Sequence, residues 1–115
     1  MRFDYIIIGG GSAGAVIASR LSAQPSNQVL LVEAGPDTPP GEVPEMIMDS
    51  YPSVVYFEPK FHWNKLRVFR NSVEENKSQP ILRRFEQGKV MGGSSSINGM
   101  FAIRGLPSDY DDWDA

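Results

Sequence analysis

The first 33 residues contain the pattern that most restricts what this chain can fold into. A β-branched and aromatic run, Phe3 to Ile8, leads directly into three consecutive glycines. A continuously apolar run bounded by glycine is typical of a strand in a parallel sheet, where both faces are covered. A second apolar run, Val29 to Val32, has the same character. Together the two runs predict a parallel crossover unit of about 30 residues.

The segment between the two runs is predicted to be a helix. Ala13, Val16, Ile17 and Leu21 recur at helical spacing, which places them on one face of that helix. The Pro-Ser-Asn sequence at residues 25–27 ends that pattern. The fold class is therefore predicted to be α/β, with a Rossmann-like strand–helix–strand (βαβ) start.

The rest of the chain is predicted in less detail. Residues 35–44 are rich in proline and glycine and are expected to be a loop, and residues 45–87 are expected to form only short strands and turns. A helix capped by Ser108 is expected near the C-terminus. Two strands and one helix cannot cover both faces of a buried sheet. We therefore expect the domain to be incomplete, and to fold with the remainder of the same protein or with a second chain.

Three glycines between the first strand and the helix fit the pattern G-x-G-x-x-G. Gly9 allows the tight turn, Gly11 allows a pyrophosphate to approach the backbone, and Gly14 lets the helix pack closely on the strand. Glu33 ends the second strand, where a carboxylate accepts hydrogen bonds from a ribose and repels a 2′-phosphate. The spacing predicts a dinucleotide site that is not specific for NADP. A glycine-rich turn with only a structural role is the alternative.

Composition excludes several other kinds of site. The net charge of −3 is small, and although residues 60–89 carry eight basic and three acidic side chains, no nucleic-acid-binding motif accompanies them. The chain has no cysteine, hence no disulfide or thiolate metal site. No apolar run is long enough for a signal peptide or a membrane span. We expect a cytoplasmic protein without a nucleic-acid partner, and we interpret the aspartates at 109–114 as a helix rather than a metal site.

Residues 88–113, GKVMGGSSSINGMFAIRGLPSDYDDW, resemble the N-terminal signature of the glucose–methanol–choline (GMC) oxidoreductases. The segments YIIIGGGSAG and VEAGPD resemble the same family's FAD-binding opening. The resemblance implies an enzyme that oxidises a small alcohol by hydride transfer to FAD. In that family the catalytic base is a histidine near the end of a much longer chain, so no catalytic residue is expected here. Choline-like, aryl and aliphatic alcohols all remain open.

The resemblance also implies which residues bind the cofactor. Trp63 would lie near the adenine, and the residues along the pyrophosphate and isoalloxazine would be Gly93, Ser94, Asn98, Gly99, Met100 and Phe101. Gly92 and Gly93 would let the chain pass against the cofactor with no Cβ in the way, and the hydroxyls of Ser94 to Ser96 could bind it. Ile97 stands where some members carry the histidine that tethers flavin, so non-covalent FAD is expected. His62 is interpreted as a surface or packing residue. The full predicted set is Gly9, Gly11, Ser12, Ala13, Gly14, Glu33, Ala34, Trp63, Val90, Gly93, Ser94, Asn98, Gly99, Met100 and Phe101.

These predictions depend on one spatial expectation. The backbone amides around Ser12 and Ser94 should converge on one diphosphate, with Glu33 at the sugar beside it. Two alternatives remain: a non-catalytic module that binds a nucleotide or pairs with another subunit, and a piece of an NAD-dependent dehydrogenase that uses only the first glycine motif.

Overall fold

The computed structural model describes residues 1–69 and 82–114. The predicted strand–helix–strand unit is present at the N-terminus, followed by short helices, a small hairpin and a second glycine-containing loop. The elements are β1 (Tyr5–Ile8), α1 (Ser12–Ser22), β2 (Val29–Val32), α2 (Glu45–Met48), α3 (Ser53–Phe57), a 3-10 helix (Pro59–Phe61), β3 (Arg67–Phe69), β4 (Leu82–Arg84), a second 3-10 helix (Gly93–Ser96) and α4 (Pro107–Asp111).

Strands β1 and β2 pair in parallel, in a register that sets Tyr5 opposite Val29 and Ile8 opposite Val32. The Gly9 amide extends the ladder by donating to the Val32 carbonyl at 2.7 Å. Because parallel strands end at the same edge, the residues that follow β1 and β2 are brought side by side. The predicted α/β start is therefore confirmed.

The face of α1 that meets the sheet is not its apolar face. Val16 and Ile17 are both about half exposed (59% and 49%), whereas Gly14 and Ala18 are partly buried. A Cβ at Gly14 would overlap the Gly9 carbonyl and lie 3.4 Å from Cγ2 of Ile7. The helix approaches the sheet through small residues, and this contact leaves Val16 and Ile17 about half exposed.

The strands are also less buried than expected. Ile7 faces α1 and is partly buried, but Ile6 and Ile8 lie on the opposite face and are 62% and 88% exposed. Alternate strand residues point to opposite faces of a sheet. Within the described residues, α1 packs on one face of this two-stranded sheet, and the other face stays largely exposed at Ile6 and Ile8. The sequence pattern is typical of a sheet with two covered faces, of which the described residues cover one.

Residues 45–57 contain helices α2 and α3, not the expected strands and turns. Strands β3 and β4 form an antiparallel hairpin, which agrees with the prediction of short strands farther along; the prediction for residues 70–81 lies outside the described residues. The proline- and glycine-rich segment before α2 is a loop, as predicted.

The C-terminal helix begins two residues earlier than the sequence indicates, with Leu106 and not Ser108 as its N-cap. Pro107 is its first residue, and the Asp109 carboxylate accepts a hydrogen bond from the Leu106 amide at 2.8 Å. Ser108 therefore lies inside the helix, and the expectation that it is the cap is wrong. Tyr110 and Trp113 contact each other edge to face, with ring centroids 6.1 Å apart.

A small apolar core lies between α3 and the second glycine loop. Val55, Phe61, Val90 and Ile97 are its buried members. His62 is buried beside them: its Nε2 lies 3.4 Å from the Val55 carbonyl and its ring meets Tyr56 edge to face. The interpretation of His62 as a packing residue fits this position.

The close approach of α1 to β1 can be tested at Gly14. We expect Gly14→Ala to lower the free energy of unfolding by about 1–3 kcal/mol, because the new methyl group displaces a backbone carbonyl. Ala15→Ser, on the exposed side of the same helix, should change it by less than about 0.5 kcal/mol. Urea denaturation of the full-length protein measures both, and equal effects of the two substitutions would contradict this packing.

Candidate functional site

The two glycine loops meet at the carboxyl ends of β1 and β2. Gly11 and Gly92 form an isolated parallel bridge, and the Gly92 amide donates to the Gly10 carbonyl at 2.8 Å. A Cβ at Gly93 would lie 2.8 Å from the Gly11 Cα. The expected convergence of the segments around Ser12 and Ser94 is therefore present in the structure.

The absence of a side chain at Gly93 has a different reason from the predicted one. In the sequence-based prediction, Gly92 and Gly93 lack a Cβ so that the cofactor can approach the backbone. In the structure, the Cβ of Gly93 would collide with the first loop, and that of Gly92 with the Ser96 hydroxyl. Both glycines also have positive φ angles, +89° and +61°, which glycine adopts at little cost. Gly93 allows the second loop to pack on the first, Gly92 allows the second loop to fold on itself, and the contact between the loops shapes the cleft.

Glu33 joins the first loop to the segment after β2. Its Oε2 accepts a hydrogen bond from the Gly10 amide at 2.7 Å, and its Oε1 accepts one from the Gly35 amide at 2.9 Å. A third contact draws in the second loop, since the Met91 amide donates to the Pro36 carbonyl at 2.9 Å. A carboxylate has about four lone-pair sites, so Glu33 can hold both amides and still accept from a sugar hydroxyl.

A cleft of about 600 Å³ opens where these three segments meet. It is lined by ten of the fifteen predicted residues, namely Gly9, Gly11, Ser12, Ala13, Gly14, Glu33, Ala34, Trp63, Gly93 and Ser94. The sequence did not single out four further lining residues: Ile8, Val32, Gln87 and Gly88. Ile8 and Val32 could have been found as the last residues of their strands. Gln87 and Gly88 have no such signal, because the bridge between His62 and Gly88 brings them there.

Helix α1 begins at this cleft without a side-chain cap. Gly11 is its N-cap, the first turn holds no acidic residue, and within the described residues no side chain accepts a capping hydrogen bond. The first amide of the helix to reach a backbone carbonyl is that of Ala15, which donates to Gly11 at 2.9 Å. The amides before it and the positive end of the helix dipole are available to an anion. A diphosphate fits this position.

The three serines of the second loop do not have equivalent roles. Ser94 lines the cleft, and its Oγ accepts a hydrogen bond from the Gly88 amide at 3.0 Å. Ser95 and Ser96 instead donate their hydroxyl protons to the carbonyls of Gly92 and Met91, at 2.6 and 2.8 Å. The hydroxyls of Ser95 and Ser96 therefore brace the loop, against the expectation that they are presented to the cofactor.

Five predicted residues lie outside the cleft lining. The side chain of Val90 is fully buried in the core. Asn98 is exposed and bonds locally, donating to the Ser95 carbonyl and accepting from the Met100 amide. Gly99, Met100 and Phe101 line a second cavity farther along the loop. Their assignment to the cofactor stays a prediction.

Trp63 stands at the side of the cleft with 42% of its surface exposed. Its amide donates to the Gln87 carbonyl at 3.0 Å, and Nζ of Lys89 lies 5.2 Å from its ring centroid. A cation over one face of the ring is favourable and restricts the side chain. The ring is thus held at the cleft before any ligand binds.

Metal ligation and membrane insertion receive no support from the described residues. No group of three metal-ligating side chains occurs in residues 1–69 and 82–114, the aspartates of α4 included. No helix in these two stretches has both the length and the apolar character needed to cross a bilayer.

Comparison with known proteins identifies the family. A family model described as GMC oxidoreductase matches residues 3–115. The chain is 45% identical to 5-(hydroxymethyl)furfural oxidase of Methylovorus sp. (strain MP688), covering 98% of this chain and 22% of that protein. It is 43% identical to the glucose dehydrogenase [FAD, quinone] of Drosophila pseudoobscura pseudoobscura, covering 99% of this chain and 17% of that one.

Solved structures agree with these relatives. Pyridoxine 4-oxidase from Mesorbium loti superposes with a TM-score of 0.66 at 31% identity, over 97% of this chain and 20% of that protein. The chain thus spans about a fifth of the length of the proteins it matches. The predicted fold class and family are confirmed: this chain belongs to the GMC oxidoreductase family and corresponds to its N-terminal FAD-binding region.

Proposed function

We propose that residues 1–115 form the N-terminal portion of the FAD-binding domain of an enzyme that oxidises a primary alcohol. The observation that carries the proposal is the single cleft in which two glycine loops, an uncapped helix start and Glu33 come together. Relatives named for FAD and for alcohol oxidation support the same assignment. A cytoplasmic location and the lack of a nucleic-acid partner stay predictions.

Each part of the cleft has a separate task in holding FAD. The open amides at the start of α1 would bind the pyrophosphate, with the second loop closing on it from Gly93 and Ser94. Glu33 would accept from the adenosine ribose, and Trp63 would pack on the adenine. When bound, FAD supplies the hydride acceptor for the alcohol, while the protein supplies position and electrostatics. No catalytic base is assigned to this chain.

The cofactor is proposed to be held without a covalent bond. Ile97, at the position where tethering would occur, has only a hydrocarbon side chain and is 3% exposed within the core. Neither its chemistry nor its orientation allows it to join to a flavin ring.

We further propose that the exposed apolar surfaces of the strand–helix–strand unit pack against the remainder of the enzyme. Ile6 on the sheet and Val16 on α1 are each more than half exposed. The radius of gyration is 18.5 Å, whereas a compact domain of this length has about 13 Å. The proteins of which this chain matches about a fifth have ample length to cover these surfaces.

The visible spectrum tests the cofactor. We expect the purified full-length protein to show absorption bands at about 370 and 450 nm, as oxidised flavins do. Acid precipitation followed by filtration should leave the flavin in the filtrate. A colourless protein that does not take up added FAD would contradict the proposed function, and flavin retained in the precipitate would contradict non-covalent binding.

Glu33→Gln tests the carboxylate that joins the loops. The amide oxygen can replace one acceptor, but the NH₂ group then faces a backbone N–H and cannot accept from it. We expect the Kd of the apoprotein for FAD to rise about tenfold or more, because hydrogen bonds to a charged group contribute about 1.5–3 kcal/mol. Flavin fluorescence titration measures it, with Glu42→Gln on the exposed loop as control. An unchanged Kd for Glu33→Gln would show that the Glu33 carboxylate does not contribute to FAD binding.

Denaturation of the isolated chain tests the proposed packing. With so little core of its own, we expect residues 1–115 alone to lose far-UV circular dichroism gradually in urea, while the full-length protein unfolds cooperatively. A cooperative transition of the isolated chain as a monomer would show that it needs no covering partner.

A further inference from the structure

Lys89 is a charged residue beside the cofactor cleft to which the proposed function gives no task. Its Nζ lies over the ring of Trp63, 5.2 Å from the ring centroid. Trp63 lines the cleft, whereas Lys89 does not. Within residues 1–69 and 82–114, no carboxylate pairs with this ammonium group. The described partner of the Lys89 charge is therefore the indole.

The backbone fixes the point from which each of these two side chains starts. Two short segments pair antiparallel here, around an isolated bridge. The Trp63 amide donates to the Gln87 carbonyl at 3.0 Å. Two residues farther along the pairing, the Lys89 amide donates to the Phe61 carbonyl at 2.7 Å. Lys89 and Trp63 are thus diagonal neighbours on one face of the pairing, a separation that a long side chain and an aromatic ring can bridge.

The peptide group of Lys89 is also packed against the segment that follows β2. A Cβ at Gly35 would overlap the Lys89 carbonyl, so the two backbones are in direct contact. The Gly35 amide donates to Oε1 of Glu33 at 2.9 Å. The carboxylate proposed for the ribose and the ring proposed for the adenine are therefore both held against the backbone of Lys89.

A cation fixed over one face of the indole has two effects on a base that binds to this ring. It restricts the ring to one orientation, so less rotamer freedom is lost when the base stacks. It also covers one face, so the base has the opposite face to stack on. Trp63 keeps 42% of its surface exposed, which leaves room for that contact.

We propose that Lys89 is a positioning residue for the adenine of FAD and that it acts through the Trp63 ring, not through the phosphates. This inference rests on the proposed function and adds to it a residue from outside the cleft lining. The ammonium group holds the indole at the cleft, and the adenine stacks on the ring face opposite Lys89. The charge thus contributes to the affinity for FAD without touching FAD.

A double-mutant cycle on the full-length apoprotein tests the proposal, with the Kd for FAD measured by flavin fluorescence titration. Lys89→Met keeps a long side chain and removes the charge, and we expect it to raise the Kd about three- to fivefold. Lys89→Arg keeps a cation that stacks on aromatic faces and should stay within about twofold of the parent. Trp63→Leu should raise the Kd about tenfold, because it removes base stacking.

The double variant distinguishes a positioning role from a direct contact. If Lys89 acts through the ring, Trp63→Leu combined with Lys89→Met has the Kd of Trp63→Leu alone, within about twofold. If Lys89 instead contacts a phosphate, the two effects multiply to about 30- to 50-fold, which would overturn the inference. An unchanged or lower Kd for Lys89→Met alone would overturn it as well.

Lys60→Met is the matched control. The Lys60 Nζ lies 5.6 Å from the Phe61 ring centroid, but Phe61 is buried in the core and does not line the cleft. We expect this substitution to leave the Kd for FAD within about twofold of the parent. An effect equal to that of Lys89→Met would show that the loss of a nearby cation is enough, and would contradict a role through Trp63.

Near-UV circular dichroism of the same apoproteins reports the ring contact in the absence of FAD. Lys89→Met should change the indole band of the parent, and it should leave the band unchanged in the Trp63→Leu background. A Lys89→Met change that persists without Trp63 contradicts the inference. A parent protein that takes up no FAD contradicts the proposed function, whereas one that binds FAD with a Kd insensitive to Lys89→Met contradicts only the inference.

Discussion

The peptide group of Gly10 is the point on which the cofactor site depends, because its two polar atoms join three segments of the chain. Its N–H donates to Glu33 and its carbonyl accepts from Gly92. Gly10 is buried, and a Cβ there would lie 2.5 Å from the Met91 sulfur. A buried peptide that lost either bond would be left unpaired at a cost of about 1–3 kcal/mol. The three segments therefore keep one arrangement, and the cleft is shaped before a ligand enters it.

Parallel pairing of β1 with β2 makes this junction possible. The register that aligns Ile8 with Val32 also places Gly9 beside Glu33, one residue beyond each strand. Ligands of open α/β sheets bind outside the carboxyl ends of the strands for the same reason, since loops that leave neighbouring strands emerge together. The strand pattern thus determines the register, and the register determines which loops come into contact. The contact between the loops then forms the site for a diphosphate.

Spacing predicted much of this arrangement, whereas packing decided the rest. The strand–helix–strand unit and the role of Gly14 follow from periodicity and motif, and the structure has both. The face of α1 could not be obtained that way, because apolar periodicity points to Val16 and overlooks the small residues through which the helix touches the sheet. Helices α2 and α3, of four and five residues, are too short to show a helical period.

Side-chain direction was the other source of error. The three consecutive serines of the second loop have the same side chain, so the sequence does not distinguish them. In the structure Ser94 lies at the cleft, whereas Ser95 and Ser96 donate to the loop's own backbone. A local pattern cannot tell whether a hydroxyl meets a ligand or a carbonyl, since both are equally within its reach. The side chain of Val90 is buried in the core, a placement that the family resemblance did not indicate, and its assignment to the cofactor stays a prediction.

The stacking of Lys89 on Trp63 has an optical consequence. The chain has two tryptophans, and Trp113 lies in the C-terminal segment, away from the cleft and 84% exposed. Trp63 alone stands at the cleft, with one ring face under an ammonium group and the rest partly open to solvent. An adenine that stacked there would change the polarity around a single indole, while the other indole served as an internal reference. Within these 115 residues, Trp63 is thus the indole whose fluorescence would report cofactor binding.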